Sequence, residues 1–249
     1  MLSRSKQPAM PADARYEHKC VVELGVGMRI LDRLGAFMRP DRHSHGERGY
    51  EVTSLYVDTP ELTHYHDVIS GELRRVKFRL RKYHPSSTEI SLEAKHKLNR
   101  LTWKDRVRLD QAEALDVVSH PWQHSEKLEL TPFTMRFARQ RHVPTVTVAY
   151  RRIALEELLR DDFRATLDFD MRAGAPEMFD REWRRTDLRM ISPGLAVLEL
   201  KFRERLPTWC ARALDAEQLS TTVFSKYLNA IDRCYNFTPQ LGLLYRGGN

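Results

Sequence analysis

The sequence predicts an α+β protein built on an antiparallel β-barrel or tunnel with a basic interior, flanked by helices. Three observations carry this expectation: β-patterned runs recur along nearly the whole chain, charged and apolar residues alternate in several of them, and Lys and Arg outnumber acids on the charged positions. Successive side chains of a strand point to opposite sides, so an alternating run has one charged and one apolar face. If such strands close into a barrel under helices, the apolar faces lie outward beneath the helices and the charges line the bore.

Taken in order, residues 1–14 are polar and Pro-containing and read as a flexible leader. Strands are expected at 15–22, 51–58, 74–83, 89–97, 101–109, 144–153, 163–171 and 195–203, each bounded by Gly, Pro, Asp or a polar cluster. Helices are expected at 25–38, 60–70, 111–119, 125–141, 207–216 and 217–235. For 60–70, Asp58 and Thr59 offer capping groups, Pro60 suits the first turn and Gly71 the end. No Gly/Ser linker, low-complexity tract or fixed repeat divides the chain, so 15–235 reads as one domain followed by a tail, 236–249.

With 249 residues, 41% hydrophobic and 30% charged, the chain can bury a sizeable core, and its formal charge of +7 implies an anionic partner. Cys20, Cys210 and Cys234 are far apart and form no C-x-x-C pair, which argues against a disulfide framework or zinc knuckle. No run approaches the ~18 apolar residues of a spanning helix, and Met1–Asp13 lacks a signal-peptide core, so the cytoplasm is the simplest location. No Walker, Rossmann or kinase motif is present, so phosphate recognition must come from side chains. His43/His45, His64/His66 and His120/His124 have metal-like spacings but read as solvated histidines. Trp103, Trp122, Trp183 and Trp209 read as core packing rather than a base-stacking platform. Helix 125–141, with Leu128, Phe133 and Phe137 beside Arg136, Arg139 and Arg141, reads as core-facing with a solvated basic side rather than as a membrane-surface helix.

The chemistry is concentrated in Arg75-Val76-Lys77-Phe78-Arg79-Leu80-Arg81, where every odd position is cationic and every intervening one apolar. Two such charges about 5–7 Å apart repel by about 2–3 kcal/mol at an effective dielectric near 20, so the face needs water, acids or a bound polyanion opposite it. Replacing Arg79 by Glu is expected on this reading to relieve repulsion and leave the fold intact. The same parity sets Glu93, Lys95 and Lys97 together, and likewise Lys104, Arg106 and Arg108. Arg15, Glu17 and Lys19 share a face, as do Glu199 and Lys201, and Arg164, Thr166 and Asp168. In an ordinary half-buried sheet one charged face simply meets water. Many bases with sparse acids on repeated strands instead suit a metal–triphosphate complex: carboxylates hold Mg²⁺ or Mn²⁺ while bases neutralise phosphate oxygens. A nucleic-acid partner would explain the charge but not the parity, and is not expected.

Five stretches carry a family likeness: Arg15-Tyr16-Glu17-His18-Lys19; Ser54-Leu55-Tyr56-Val57-Asp58-Thr59-Pro60; Arg75 to Arg81; Leu92-Glu93-Ala94-Lys95; and Val197-Leu198-Glu199-Leu200-Lys201 followed by Phe224-Ser225-Lys226-Tyr227. In this order they resemble the VTC-type polyphosphate polymerase domain, a branch of the CYTH-like triphosphate tunnel metalloenzymes, over about 15 to 235. The resemblance implies a tunnel holding triphosphate or polyphosphate with a divalent metal, Mn²⁺ or Mg²⁺, and transfer of the ATP γ-phosphate to a polyphosphate end. It marks Lys19, Lys77, Arg79, Arg81, Lys95, Arg152, Arg164 and Lys226 as phosphate ligands and Glu199 as the main metal carboxylate, with Glu17 and Glu93 as second candidates. Arg75, Lys97, Lys104, Arg106 and Lys201 are expected as further phosphate contacts. Family members can carry a lysine just before Phe-Ser-Lys-Tyr, where this chain has Val223. Triphosphate hydrolysis and non-catalytic polyphosphate binding stand as alternatives, and a separate membrane-protein partner is left open.

Overall fold

The computed structural model describes residues 11–44, 49–83, 87–120, 132–159, 162–181 and 183–235. Most of the leader, the tail 236–249, His45, Trp122, His124 and Leu128 lie outside the described residues. The elements are β1 (Arg15–Glu23), α1 (Leu24–Leu34), β2 (Met38–Pro40), β3 (Tyr50–Asp58), α2 (Thr63–Ile69), β4 (Arg74–Tyr83), β5 (Glu89–Leu98), β6 (Leu101–Asp110), α3 (Gln111–Ser119), α4 (Pro132–Arg139), β7 (Val143–Glu157), β8 (Phe163–Gly174), β9 (Arg189–Met190), β10 (Leu195–Phe202), α5 (Thr208–Ala216) and α6 (Lys226–Tyr235).

The strands follow the order β2-β7-β3-β4-β5-β6-β1-β10-β8-β9, and β7 also pairs with β8. That pairing closes an antiparallel ring of β3, β4, β5, β6, β1, β10, β8 and β7, the tunnel that alternation predicts. The ring is thinnest between β1 and β6, which pair only at Arg15↔Thr102 and Tyr16↔Leu101. Unpaired strand edges seek partners, and here the chain before α6 supplies one. Thr222 N–H donates to the Lys19 carbonyl at 2.7 Å, and Val21 N–H donates to Thr222 Oγ1 at 3.3 Å.

That strap corrects the expected helix 217–235, which is helical only from Lys226. Its first nine residues spend their backbone groups elsewhere. Helix 25–38 likewise stops at Leu34, and Met38–Pro40 turns back to pair with β7. Helix 125–141 is helical over Pro132–Arg139 within the described residues. Helix 60–70 starts later, at Thr63, after Leu62 takes a left-handed φ of 56°. Asp58 still caps it from a distance, accepting from Thr59, His64 and Tyr65 N–H at 2.7–2.9 Å.

Apolar residues gather in three clusters, two of them on outward strand faces, with Leu31 and Cys210 of α1 and α5 over Leu167 and Leu198, and Val117 and Phe137 of α3 and α4 over Phe78 and Leu92. The third cluster sits at one end of the ring. There Val197 and Val21, which continue the inward faces of Glu199 and Lys19, meet Tyr227, Leu228 and Ile231 of α6. Helix α6 therefore covers an apolar end of an otherwise charged interior.

His64 is a further correction: it is buried, not solvated, and its Nε2 lies 3.2 Å from that of buried His142, with Phe78 and Phe137 around the pair. Trp209 packs into the core between Phe37 and Phe163. Trp103 instead stacks on His96 outside the three clusters. Among the described residues no helix is long and apolar enough to cross a membrane.

The end cover is anchored by Tyr227, whose hydroxyl donates to Asp58 Oδ2 at 2.6 Å and whose ring stacks on Tyr56. Tyr227→Phe keeps the stacking but removes a donor to a buried carboxylate. It should lower stability by about 1.5–3 kcal/mol, read as a shift of the urea midpoint at unchanged slope.

Candidate functional site

Register stacks the bases in rows. Lys77 on β4 faces Lys95 on β5, which faces Lys104 on β6. The next row runs Tyr56, Arg79, Glu93, Arg106, and the one beyond it Ser54, Arg81, Ser91. On the opposite wall Lys19 faces Glu199, Glu17 faces Lys201, and Arg152 faces Asp168. These faces converge on one enclosed bore lined by nine cations: Lys19, Lys77, Arg79, Arg81, Lys95, Lys104, Arg152, Lys201 and Lys226.

Glu199 is the carboxylate in that lining, and Glu17, Glu93 and Asp168 reach the same bases. Glu93 is fully buried; it accepts from Arg79 Nε and Arg106 Nη2, each at 2.9 Å, with Arg81 and Lys104 at 3.8 Å. Asp168 takes Arg152 and Lys226, each at 2.6 Å. Glu17 is shared by Lys95 at 2.7 Å and Lys19 at 3.0 Å. Glu199 pairs with Lys201 and reaches Lys19 at 3.8 Å.

Of the sequence-predicted bases outside this central lining, Arg106, Arg164 and Lys97 stand at its openings. Arg106 and Arg164 line one chamber, where Arg164 is held by Asp41 at 2.6 Å. Lys97 lines a second chamber beneath the strap, and Arg75 donates to the Val68 carbonyl at 3.4 Å.

A family model described as the VTC domain matches residues 14–235. The chain belongs to the VTC domain family. No curated protein matches it. Among solved structures it is similar to an adenylate cyclase candidate from Vibrio parahaemolyticus, at 12% identity and TM-score 0.47, over 86% of this chain and 97% of that one. A second, from Bacillus halodurans, is 11% identical with TM-score 0.48 over 86% and 95%. The Mimivirus capping enzyme triphosphatase is 10% identical with TM-score 0.37 over 84% and 87%.

Electrostatics in this VTC domain set the state of each group. Burial alone would neutralise Glu93, but Lys104, Arg79, Arg81 and Arg106 hold it well below the ordinary carboxylate range. Burial opposes ionisation of Glu199 too, and Lys201, Lys95 and Lys19 overcome it. The lysines divide. Burial pulls Lys19 down, yet Glu17 and Glu199 raise it above its usual value. Burial depresses Lys77 strongly, Lys19 and Lys95 add to the effect, and its ammonium donates to the neutral Ser225 Oγ at 2.8 Å. Lys104 is depressed by burial and neighbouring cations against Glu93, and Lys95 falls to about 8 through burial despite Glu17.

Several groups of the site carry no ionic signal and escape a reading by charge. Tyr56 and Tyr150 hydroxyls accept from Arg79 at 3.4 Å and Arg81 at 3.0 Å, and Lys226 lies 4.8 Å above the Tyr150 ring. Ser54 accepts from Arg81 Nε at 3.0 Å. Tyr56 and Ser54 were detectable by strand parity within the Ser54–Pro60 block, and Ser225 by its place in Phe-Ser-Lys-Tyr. Asp168 shares a predicted face with Arg164, but only the barrel closure brings it to Lys226.

The donor set fits a hard divalent ion in one way. Among the described residues no three His, Cys, Asp or Glu side chains form a ready cage. Mg²⁺-type sites commonly use one or two carboxylates and complete their shell with water and substrate phosphates. Glu17 and Glu199, which both contact Lys19, offer such a pair.

The buried pairing overturns the expectation for Arg79→Glu. The substitution would set a second carboxylate against Glu93 with Arg79's guanidinium gone, and should destabilise the fold by about 3–5 kcal/mol in denaturant titration. Lys77→Ala, which removes no acid's partner, should leave stability nearly unchanged.

The depressed lysines give a pH dependence with a definite sign. Burial and neighbouring bases make Lys77, Lys95 and Lys104 give up a proton more readily in the empty bore than in water, and a polyanion beside them favours the ammonium. Binding of tripolyphosphate should therefore take up protons, and affinity should fall as pH rises through about 8, the range set by Lys95. Calorimetry in buffers of different ionisation enthalpy measures the uptake directly.

Proposed function

We propose that this VTC domain is a metal-dependent phosphotransferase that lengthens polyphosphate with the γ-phosphoryl group of ATP and releases ADP. The observation that carries this reading is the enclosed bore, where nine cations exceed the carboxylates that reach them. An enclosed cationic excess stores repulsion that a linear polyanion relieves. Strand spacing of about 4.8 Å repeats the cations around the chain's path.

In this reading Arg79, Arg81, Lys77 and Lys95 hold non-bridging oxygens on one wall, and Lys19, Arg152 and Lys226 hold them on the other. Lys104 and Lys201 extend the central set, while Arg106, Arg164 and Lys97 guide phosphates at the openings. Glu199, with Glu17, would hold Mn²⁺ or Mg²⁺, which when bound neutralises and polarises phosphoryl oxygens. Glu93, wholly engaged by Arg79 and Arg106, fixes those guanidiniums. In the transfer the bond from the γ-phosphorus to the β–γ bridging oxygen breaks, a bond to a terminal polyphosphate oxygen forms, and the leaving charge stays on ADP. The side chains act by positioning and by preorganised positive charge, the dominant contributions in phosphoryl transfer.

Hydrolysis of triphosphate is the second reading, with water as acceptor. Val223 favours it: an apolar side chain, 60% exposed, lines an opening where family members can carry a lysine.

Incubation with ATP and Mn²⁺ separates the readings. A polyphosphate ladder with ADP supports the polymerase, phosphate without polymer supports the hydrolase, and no turnover overturns both. Glu199→Gln should retain polyphosphate binding and lose turnover by about 10²-fold or more. Near-normal turnover at ordinary Mn²⁺ would remove Glu199 from the metal site.

A further inference from the structure

The bore opens into two chambers of different chemistry. One, of about 410 Å³, is lined by Tyr83, Trp103, Arg106, Arg164 and Asp13, and shares Arg152 with the central lining. The other, of about 330 Å³, lies beneath the strap with Lys97, Arg100, Thr222 and Phe224, and shares Lys19 with it. Both volumes fall within the ~300–1,000 Å³ of small-molecule sites.

Their bases are not equally available. Of the six bases lining the first chamber, Arg106 is bound to Glu93 at 2.9 Å, Arg164 to Asp41 at 2.6 Å, Arg152 to Asp168 at 2.6 Å and Lys201 to Glu199, while Lys104 lies 3.8 Å from Glu93 and Arg15 completes the set. Asp13 adds negative charge to its wall, and Glu17 stands between the two chambers. In the second, no carboxylate among the described residues is within ion-pair distance of Lys97 or Arg100, and Glu17 is already shared by Lys19 and Lys95. A phosphate chain is therefore drawn to the strap side, and the first chamber suits the less charged end of a substrate.

That chamber also presents aromatic surface on rigid supports. Tyr83 stacks on His43 with ring centres 5.3 Å apart and an interplanar angle of 7°, and Tyr50 lies against it at 6.1 Å. Trp103, which alternates with inward-facing Lys104, stacks on His96 at 5.1 Å and 9° on the outer face, so within the chamber the ring that matters is Tyr83. A ring braced on one side and lining a chamber with the other loses little freedom when a second ring settles on it. We propose that this chamber receives the nucleoside of the triphosphate, with the Tyr83 ring as the specificity-determining surface for the base and Asp13 as an acceptor for sugar hydroxyls. The inference rests on the phosphoryl-transfer reading above and adds polarity to it: base towards Tyr83, phosphate chain towards Lys97 and Arg100.

Binding calorimetry in Mn²⁺ tests it with two probes that do not transfer phosphate, AMP-PNP and the base-free diimidotriphosphate. Tyr83→Ala should weaken AMP-PNP about tenfold or more, as loss of base stacking does elsewhere, and leave diimidotriphosphate within about twofold. Tyr83→Phe, which keeps the ring, should leave both unchanged. An equal loss for both probes, or none for AMP-PNP, overturns the assignment. Because Tyr83→Ala removes a packed ring, photolabelling of the unaltered protein with 8-azido-ATP gives an independent check. Label on the peptide carrying Tyr83 or Trp103 supports the chamber, and label confined to Thr221–Phe224 overturns it. If the unaltered protein binds diimidotriphosphate but not AMP-PNP, the nucleoside chamber falls and the tunnel reading survives; if it binds neither, both fall.

Discussion

Crowding of like charge inside a closed barrel is the constraint around which the rest of the molecule is arranged. A ring whose inward faces carry Lys77, Arg79, Arg81, Lys95, Lys104 and Arg152 cannot close on those bases alone, because each adjacent pair costs about 2–3 kcal/mol. Four carboxylates make closure feasible, and each is shared. Glu93 serves β4 and β6 from β5, Glu17 joins β1 to β5, Asp168 ties β7 and β8 to α6, and Glu199 links β10 to β1. The acids thus join strands as well as balance charge. The Glu17–Lys95 pair matters most in this respect, since it crosses the seam where β1 and β6 share only two backbone pairings.

The same constraint explains why the ends differ. Towards α6 the inward faces turn apolar at Val21 and Val197, and Tyr227, Leu228 and Ile231 seal them. Water excluded there lowers the local dielectric around Lys226 and Tyr150 and strengthens every charge interaction nearby. The strap before α6 does two jobs on one short stretch of backbone: Thr222 completes the β1 edge, while the Phe224 carbonyl accepts from Lys19 Nζ at 3.1 Å and Ser225 accepts from Lys77. A segment committed to both a strand edge and two lysines cannot also satisfy helical hydrogen bonds, and α6 begins immediately after it.

What could be read from the sequence follows from period, and what could not follows from register. Alternation in Arg75–Arg81 and in the runs around Glu93, Lys104 and Glu199 was enough to place the strands and to direct their charged faces inward. Nothing local told Glu93 that its neighbours would be Arg79 and Arg106 rather than open bore, so it stood with Glu17 as a second candidate for the metal behind Glu199. His64 looked like a solvated histidine because its partner, His142, lies 78 residues away. The apolar residues of 217–225 have helical spacing, and only the deficit of partners on β1, a property of the assembled sheet, draws them out of it. Tyr56 could be placed by its parity in the Ser54–Pro60 block, but Tyr150, a tyrosine among apolar residues, carries no charge to mark its side.

The chemistry of the four acid–base sets is not uniform, and the difference bears on the proposed reaction. Glu93 and Asp168 are held chiefly by Arg79, Arg106 and Arg152, whose planar guanidinium forks fix a carboxylate in one geometry. Glu17 and Glu199 are held by Lys19, Lys95 and Lys201, point charges on flexible stems that make no geometric demand of that kind. Arginine-bound acids therefore behave as fixed parts of the wall. Lysine-bound acids can exchange partners at low cost: in the proposed reaction Glu17 and Glu199 would hold the metal, and the ammonium groups they release would be available to phosphate oxygens. On this account the two carboxylates suited to metal binding are those whose resting partners are all lysines, free to turn to phosphate oxygens, whereas the acids gripped by arginine forks hold the proposed guanidinium ligands in place.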